Sequence, residues 1–115
     1  MKPNRSFAVG RLKAGVMNKL ESAYAQELEA QKHAGLILWY GFEVMTFKLA
    51  ADTRYTPDFV VMLANNQLQA REVKGFWQGD AKVKIKVASQ LFPVEFIAIH
   101  ARSKKDGGGW SVTEF

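Results

Sequence analysis

The chain has 115 residues, 48% of them hydrophobic and 12% aromatic, which suits one compact domain and excludes both disorder and two independent cores. No stretch approaches the roughly 20 consecutive apolar residues of a bilayer span, and the absence of cysteine excludes a disulfide framework, a thiolate zinc site and a cysteine nucleophile, as expected in a reducing cytoplasm. Lys and Arg number 16 against 11 Asp and Glu, a net charge of +5 that favours a polyanionic partner.

Residues 1–14 combine Pro3, Gly10 and four basic side chains without periodicity, and no apolar run of signal-peptide type follows. A flexible basic arm is expected there, ahead of a single domain over residues 15–115. From Gly15 to His33, Met17, Leu20, Tyr24 and Leu28 recur at helical spacing among Ala, Glu, Gln and Lys, which predicts an amphipathic helix stopped at Gly35. Leu36 to Leu49, apolar and aromatic but interrupted by Gly41, reads as one bent strand or two short ones. Thr56 to Leu63 and Leu68 to Lys74 are two further strands, and Ala64-Asn65-Asn66-Gln67 supplies turn residues for an antiparallel hairpin between them. Lys82 to Val87 alternates like an edge strand, yet Val83, Val87 and Leu91 also form a helical stripe; Gly79-Asp80 as a cap and Pro93 as a stop favour the helix. Val94 to Ile99 has the composition of a buried strand, Lys104 to Gly109 that of a loop, and Trp110 to Phe115 that of an edge strand. The expected order is helix, three strands, helix, strand: an α/β domain around a central mixed sheet.

The chemistry-bearing residues lie in Tyr55-Thr56-Pro57-Asp58-Phe59 and Arg71-Glu72-Val73-Lys74. Glu72 and Lys74 are two apart on a strand, so their side chains leave the same face. A carboxylate amid Ala70 and Val73 is costly to bury unless something pairs with it, and the hairpin carries Asp58 back to the level of Glu72. Two carboxylates so placed repel one another unless a divalent cation lies between them, and an all-oxygen donor set suits Mg²⁺ or Mn²⁺. The arrangement also carries a parity requirement. A two-residue Asn65-Asn66 turn would put Asp58 opposite Val73 and on the wrong face, so a three-residue loop or a bulge is needed. A third carboxylate comes from the first helix. At about 100° per residue, Glu21 falls roughly 40° from Met17, inside the apolar stripe, where it either faces the sheet as a further ligand or reaches water from the stripe's edge. Glu43 is the substitute for that position.

Pro57-Asp58, then Glu72-Val73-Lys74 across a hairpin, with helical Glu21 ahead of both, resembles the signature of the PD-(D/E)XK nucleases. The longer strings Tyr55-Thr-Pro-Asp-Phe59 and Glu72-Val-Lys-Gly-Phe-Trp77, followed by a basic segment and an apolar strand, resemble phage Holliday-junction resolvases of the endonuclease I type and small phage endonucleases with the same core. This likeness implies a restriction-endonuclease-like fold. It implies Glu21, Asp58 and Glu72 as ligands of Mg²⁺ or Mn²⁺, with the carbonyl of Val73 as a further ligand. Lys74 would orient or activate the attacking water and stabilise charge on the phosphoryl oxygens. The implied reaction is phosphodiester hydrolysis without a covalent enzyme intermediate, leaving a 5′-phosphate, in the cytoplasm of a bacterial host if the chain is phage-encoded.

Lys82 and Lys86 share one side of the second helix and are candidates for phosphate contact, against the alternative of a solvated face. Arg102, Lys104 and Lys105 form a basic loop whose glycines would let it adapt to DNA. Phe76 and Trp77 suit core packing or a dimer contact better than stacking on a base. Arg71 leaves the strand on the side opposite Glu72 and is assigned no catalytic role, and His33 and His100 lack ligand spacing. The function expected first is a structure-selective endonuclease cutting branched or junction DNA during phage recombination, replication or packaging. Paired cuts need two sites, so a homodimer is expected, with no membrane partner. The alternatives are a nicking or restriction-type nuclease with sequence or end preference, and a basic nucleic-acid-binding module that does not cleave.

Overall fold

The computed structural model describes residues 15–75 and 80–115. The basic arm expected over residues 1–14, and the roles weighed for Phe76 and Trp77, lie outside the described residues.

Helix α1 (Lys19–His33) starts later than the periodicity predicts because Asn18 caps it. The Asn18 side chain accepts from the Glu21 backbone N–H at 2.7 Å, and the Glu21 carboxylate accepts from the Asn18 N–H at 2.9 Å, a reciprocal capping box. At the other end Gly35 adopts φ 81°, and the bonds Gly35 N–H to Lys32 O and Leu36 N–H to Gln31 O close a Schellman motif. The chain then turns at once into strand β1 (Ile37–Phe42). The apolar stretch Leu36 to Leu49 is two short strands, β1 and β2 (Phe47–Ala50), and β2 pairs with β3 (Thr53–Tyr55) in a small separate sheet. The strand expected from Thr56 to Leu63 is therefore split, since Thr56-Pro57-Asp58 leaves the pairing and β4 spans only Phe59–Leu63. Pro57 has no N–H to give a ladder, which accounts for the break.

Strand β5 (Leu68–Lys74) forms the expected hairpin with β4. Helix α2 (Ala81–Leu91) then crosses to β6 (Glu95–Ala101), which runs parallel to β5. A short 3₁₀ turn at Lys104–Asp106 leads to the edge strand β7 (Trp110–Glu114). The main sheet has five strands in the order β1-β4-β5-β6-β7. The fold is thus α/β with a central mixed sheet and two helices, with the expected edge strand at β7 and one strand, β3, that the sequence reading did not include.

Sheet alternation sorts the core into two layers. Phe59, Val61, Val73, Ile97 and Ile99 face α1, where Tyr24 and Leu28 meet them. Ala70 and Phe96 face the other way, against Ile85 and Ala88 of α2 and Phe47 and Tyr55 of the small sheet. Helix α1 thus covers one face of the sheet, while α2 and the β2–β3 pair cover the other. Among the described residues no helix is long and apolar enough to cross a membrane.

The β4–β5 turn meets the parity requirement. The pairs run Phe59 with Arg71, Val60 with Ala70, Val61 with Gln69 and Met62 with Leu68, and Leu63 N–H donates to Gln67 O at 2.8 Å. The loop therefore has the three residues Ala64-Asn65-Asn66, with Asn66 at φ 71°. A Cβ-bearing residue without asparagine's local hydrogen bonding is disfavoured there, so Asn66→Ala should lower the unfolding free energy by about 1 kcal/mol, measured by urea titration. An unchanged midpoint would mean that the turn contributes nothing to holding the register.

Candidate active site

Continuing the β4–β5 register by one step places Asp58 directly opposite Glu72, on the face away from α1. Lys74 follows on that same face, and its parallel partner on β6 is His100. The N-terminal end of β4 and the C-terminal ends of β5 and β6 coincide, so these side chains gather at one end of the sheet. The start of α1 is tied to that end as well. Gly15 N–H donates to Glu43 Oε1 at 2.9 Å, and Glu43 N–H donates to the Asp58 carbonyl at 2.8 Å. Glu43 holds this position with φ 51°, a left-handed backbone unusual for glutamate and the kind of local strain that collects at working sites.

Each carboxylate is held by named donors. Asp58 Oδ2 accepts from the Val73 backbone N–H at 2.8 Å, which fixes the side chain against β5. Glu72, 8% exposed, accepts from the Tyr55 hydroxyl through Oε1 at 2.8 Å, and its Oε2 lies 3.1 Å from Lys74 Nζ. Tyr55 sits in the Tyr55-Thr-Pro-Asp58 string, but sequence reasoning gave it no part in the site. Only the fold of β3 against β5 shows that its hydroxyl reaches Glu72. Burial, with Glu72 beside it, pushes the Tyr55 phenol far above its ordinary value, so it remains a donor.

The Asp58 carboxyl is pushed up to about 8, first by burial, then by the charge of Glu72. The Val73 N–H opposes this shift, Glu21 adds to it, and Lys74 partly offsets it. Three of the residues expected from sequence, Glu21, Glu72 and Lys74, therefore all act electrostatically on the fourth, Asp58. Glu21 is shared between two tasks: one carboxylate oxygen closes the helix cap, and its charge raises Asp58. Sequence reasoning missed that capping role, although Asn18 three residues ahead of Glu21 is its signature.

Among the described residues no three His, Asp or Glu side chains converge closely enough to form a ready metal cage. The geometry explains this: Glu21 is drawn to its cap, and both oxygens of Glu72 are engaged by Tyr55 and Lys74. The donor set nonetheless fits a hard cation. Two neighbouring carboxylates, one of them driven toward protonation by burial and then by the negative charge beside it, form a site whose ionised state a further cation would stabilise. Glu43, the substitute candidate, is committed to Gly15 through Oε1.

Of the candidate phosphate contacts, Lys82 and Lys86 are exposed on α2, whose buried side carries Ile85 and Ala88. Lys82 lies in the first turn, at the same end of the sheet as Lys74, and Lys86 one turn farther away. Arg102, Lys104 and Lys105 are all exposed just beyond β6; the Arg102 guanidinium donates to the Asp106 carbonyl and so braces its own loop. Arg71 is buried on the α1 face, as its place in the strand requires. Comparison with family models, curated proteins and solved structures finds no match to this chain.

Proposed function

We propose that the chain is a Mg²⁺- or Mn²⁺-dependent DNA endonuclease with a restriction-endonuclease-like core, in which Asp58 and Glu72 hold the ion and Lys74 acts beside it. The observation that carries this reading is Asp58 held against β5 by the Val73 N–H, close enough to Glu72 to feel its charge, with Lys74 3.1 Å from Glu72 at the same end of the sheet. Support also comes from the order helix, antiparallel strands, crossover helix and parallel strand, which is the order that the sequence resemblance implies. The net charge of +5 adds to it, with lysines and arginines exposed around that end.

In this reading Asp58 and Glu72 bind the ion through their carboxylates, Glu21 adds negative charge at its edge, and the Val73 carbonyl is a further ligand. When bound, such an ion would supply Lewis acidity at the attacking water and the scissile phosphate. Lys74 places an ammonium beside the same phosphoryl oxygens and orients the water. Tyr55 fixes the Glu72 carboxylate and touches no substrate, which makes it a positioning residue. Lys82, Lys86, Arg102, Lys104 and Lys105 draw the DNA backbone to the site. We place the activity in the bacterial cytoplasm on branched DNA, with two copies of the chain making the paired cuts.

The test is nicking of supercoiled plasmid in Mg²⁺, Mn²⁺ or Ca²⁺. Cleavage is expected with the first two and lost in Glu72→Ala and Lys74→Ala; cleavage that survives Glu72→Ala would refute this site. A four-way junction should be cut faster than a linear duplex of the same sequence, and equal rates would assign a nicking or restriction-type enzyme instead. Binding without cleavage in every metal would leave a nucleic-acid-binding module. Tyr55→Phe should reduce kcat about tenfold with KM unchanged, since one hydrogen bond to a charged group is worth about 1.5 kcal/mol. A variant that cuts as fast as the parent would remove Tyr55 from the site.

A further inference from the structure

Arg71 is a buried charge that the proposed reaction does not use. It is 7% exposed and lies on the sheet face opposite Asp58 and Glu72. A guanidinium has five N–H donors. Nε donates to Gln69 Oε1 at 2.7 Å, and Nη1 donates to the Tyr24 hydroxyl at 2.8 Å and to Gln31 Oε1 at 3.0 Å. Among the described residues the Nη2 donors have no acceptor, and no carboxylate lies within ion-pair distance of Arg71. Its three acceptors are neutral, because burial raises the Tyr24 phenol and keeps its proton in place. The guanidinium is thus held in place by neutral acceptors while keeping N–H donors for a further partner.

Arg71 lines a cavity of about 360 Å³ between α1 and the β6–β7 pair, walled also by Ile97, Val112 and Trp110. Glu27 lines it too. Gln31 Nε2 donates to Glu27 Oε2 at 2.9 Å, and the same amide's oxygen accepts from Arg71, so the two charges are joined through one side chain. The cavity therefore offers N–H donors at Arg71, a carboxylate oxygen at Glu27 and an indole beside them, with no net charge. A phosphate or carboxylate ligand would meet repulsion from Glu27. A flat neutral heterocycle that carries acceptors and amino donors satisfies both ends, and guanine, with O6 and N7 acceptors and an N2 amino group, matches best. Gly109 at the rim and the preceding Gly107 and Gly108 all hold positive φ, a lip without side chains that leaves the opening unobstructed.

We propose that this cavity binds an unpaired nucleobase, guanine in the best-matched case, with Arg71 donating to its acceptors, Glu27 accepting from its amino group and the Trp110 ring lying against it. The assignment is independent of cleavage, since a nucleoside has no phosphodiester bond.

The test uses the full chain without added metal, its tryptophan indoles labelled with ¹⁵N and the Trp110 signal assigned through Trp110→Phe. Guanosine, adenosine, cytidine and thymidine are titrated, with sodium acetate and inorganic phosphate as anion controls. Guanosine should move the Trp110 resonance saturably and bind most tightly, and Glu27→Gln should weaken it about tenfold. Arg71→Ala strips a buried network and is expected to unfold the chain, so the blocking variant is Val112→Trp, at an exposed position on the edge strand. That variant should remain folded and lose the guanosine shift. The proposal is overturned if no nucleoside gives a saturable shift, if guanosine binds Val112→Trp unchanged, or if acetate or phosphate binds in its place.

Discussion

Asp58→Asn is expected to abolish metal-dependent cleavage, on the order of a thousandfold, while raising the melting temperature of the metal-free protein. Its stability effect follows from the carboxyl being pushed up to about 8 in the folded state by burial and by Glu72. Folding then takes up a proton at any pH between the ordinary carboxylate value, about 4, and 8. The contribution of Asp58 is fully present below that window and is lost as pH rises through it. Asparagine retains an acceptor for the Val73 N–H but carries no charge to desolvate. The variant should therefore match the parent near pH 4 and exceed it by several kcal/mol above pH 8, more than about 10 °C in Tm. Calorimetry at three pH values checks this; a difference independent of pH would mean that Asp58 is not the group under stress. Ca²⁺ at ten times its Kd should stabilise the parent by about 1.4 kcal/mol and leave Asp58→Asn unmoved, which reads the metal site without reference to activity.

The second large effect lies in the core behind the site. Phe96 is fully buried, with ring centroids 5.1 Å from Phe47 and 6.3 Å from Tyr55. Phe96→Ala should cost about 3–5 kcal/mol, a large part of the 5–15 kcal/mol that holds a domain of this size folded. Because Tyr55 rests on Phe96 and donates to Glu72, the damage should reach the chemistry in a milder variant as well. Phe96→Leu, expected to cost about 1.5 kcal/mol or less, should remain folded yet cut more slowly than its stability alone predicts. Urea unfolding and single-turnover rates on the same samples separate the two effects. A Phe96→Leu protein with parental rates would disconnect this core layer from Glu72.

What the sequence disclosed depended on how local the determining physics was. The periodicity of Met17, Leu20, Tyr24 and Leu28 and the stop at Gly35 are local, and α1 ends where they place it. The choice of helix for Lys82 to Leu91 followed from Pro93 and the apolar stripe, and α2 bears it out. Glu72 and Lys74 share a face by strand alternation alone. Asp58 needed the loop length, and the turn sequence permitted two answers; the left-handed Asn66 and the Gln67 bond decide between them. Tyr55 was out of reach, because its contact with Glu72 depends on how the small β2–β3 sheet leans on the large one, and periodicity carries no trace of that. Glu21 carries two local signals at once, a place in the apolar stripe and a capping-box spacing from Asn18, and the second governs where one of its oxygens goes.

The Ala64-Asn65-Asn66 loop has a bearing on how this chain can change over generations. A slip of the β4–β5 pairing by one residue would turn every side chain of one strand over and send Asp58 to the far side from Glu72, but it would also expel Phe59, Val61 or Val73 from the face that α1 covers. Added residues should therefore be absorbed as extra loop beyond the Leu63–Gln67 bond, and engineered longer loops should leave the two carboxylates together.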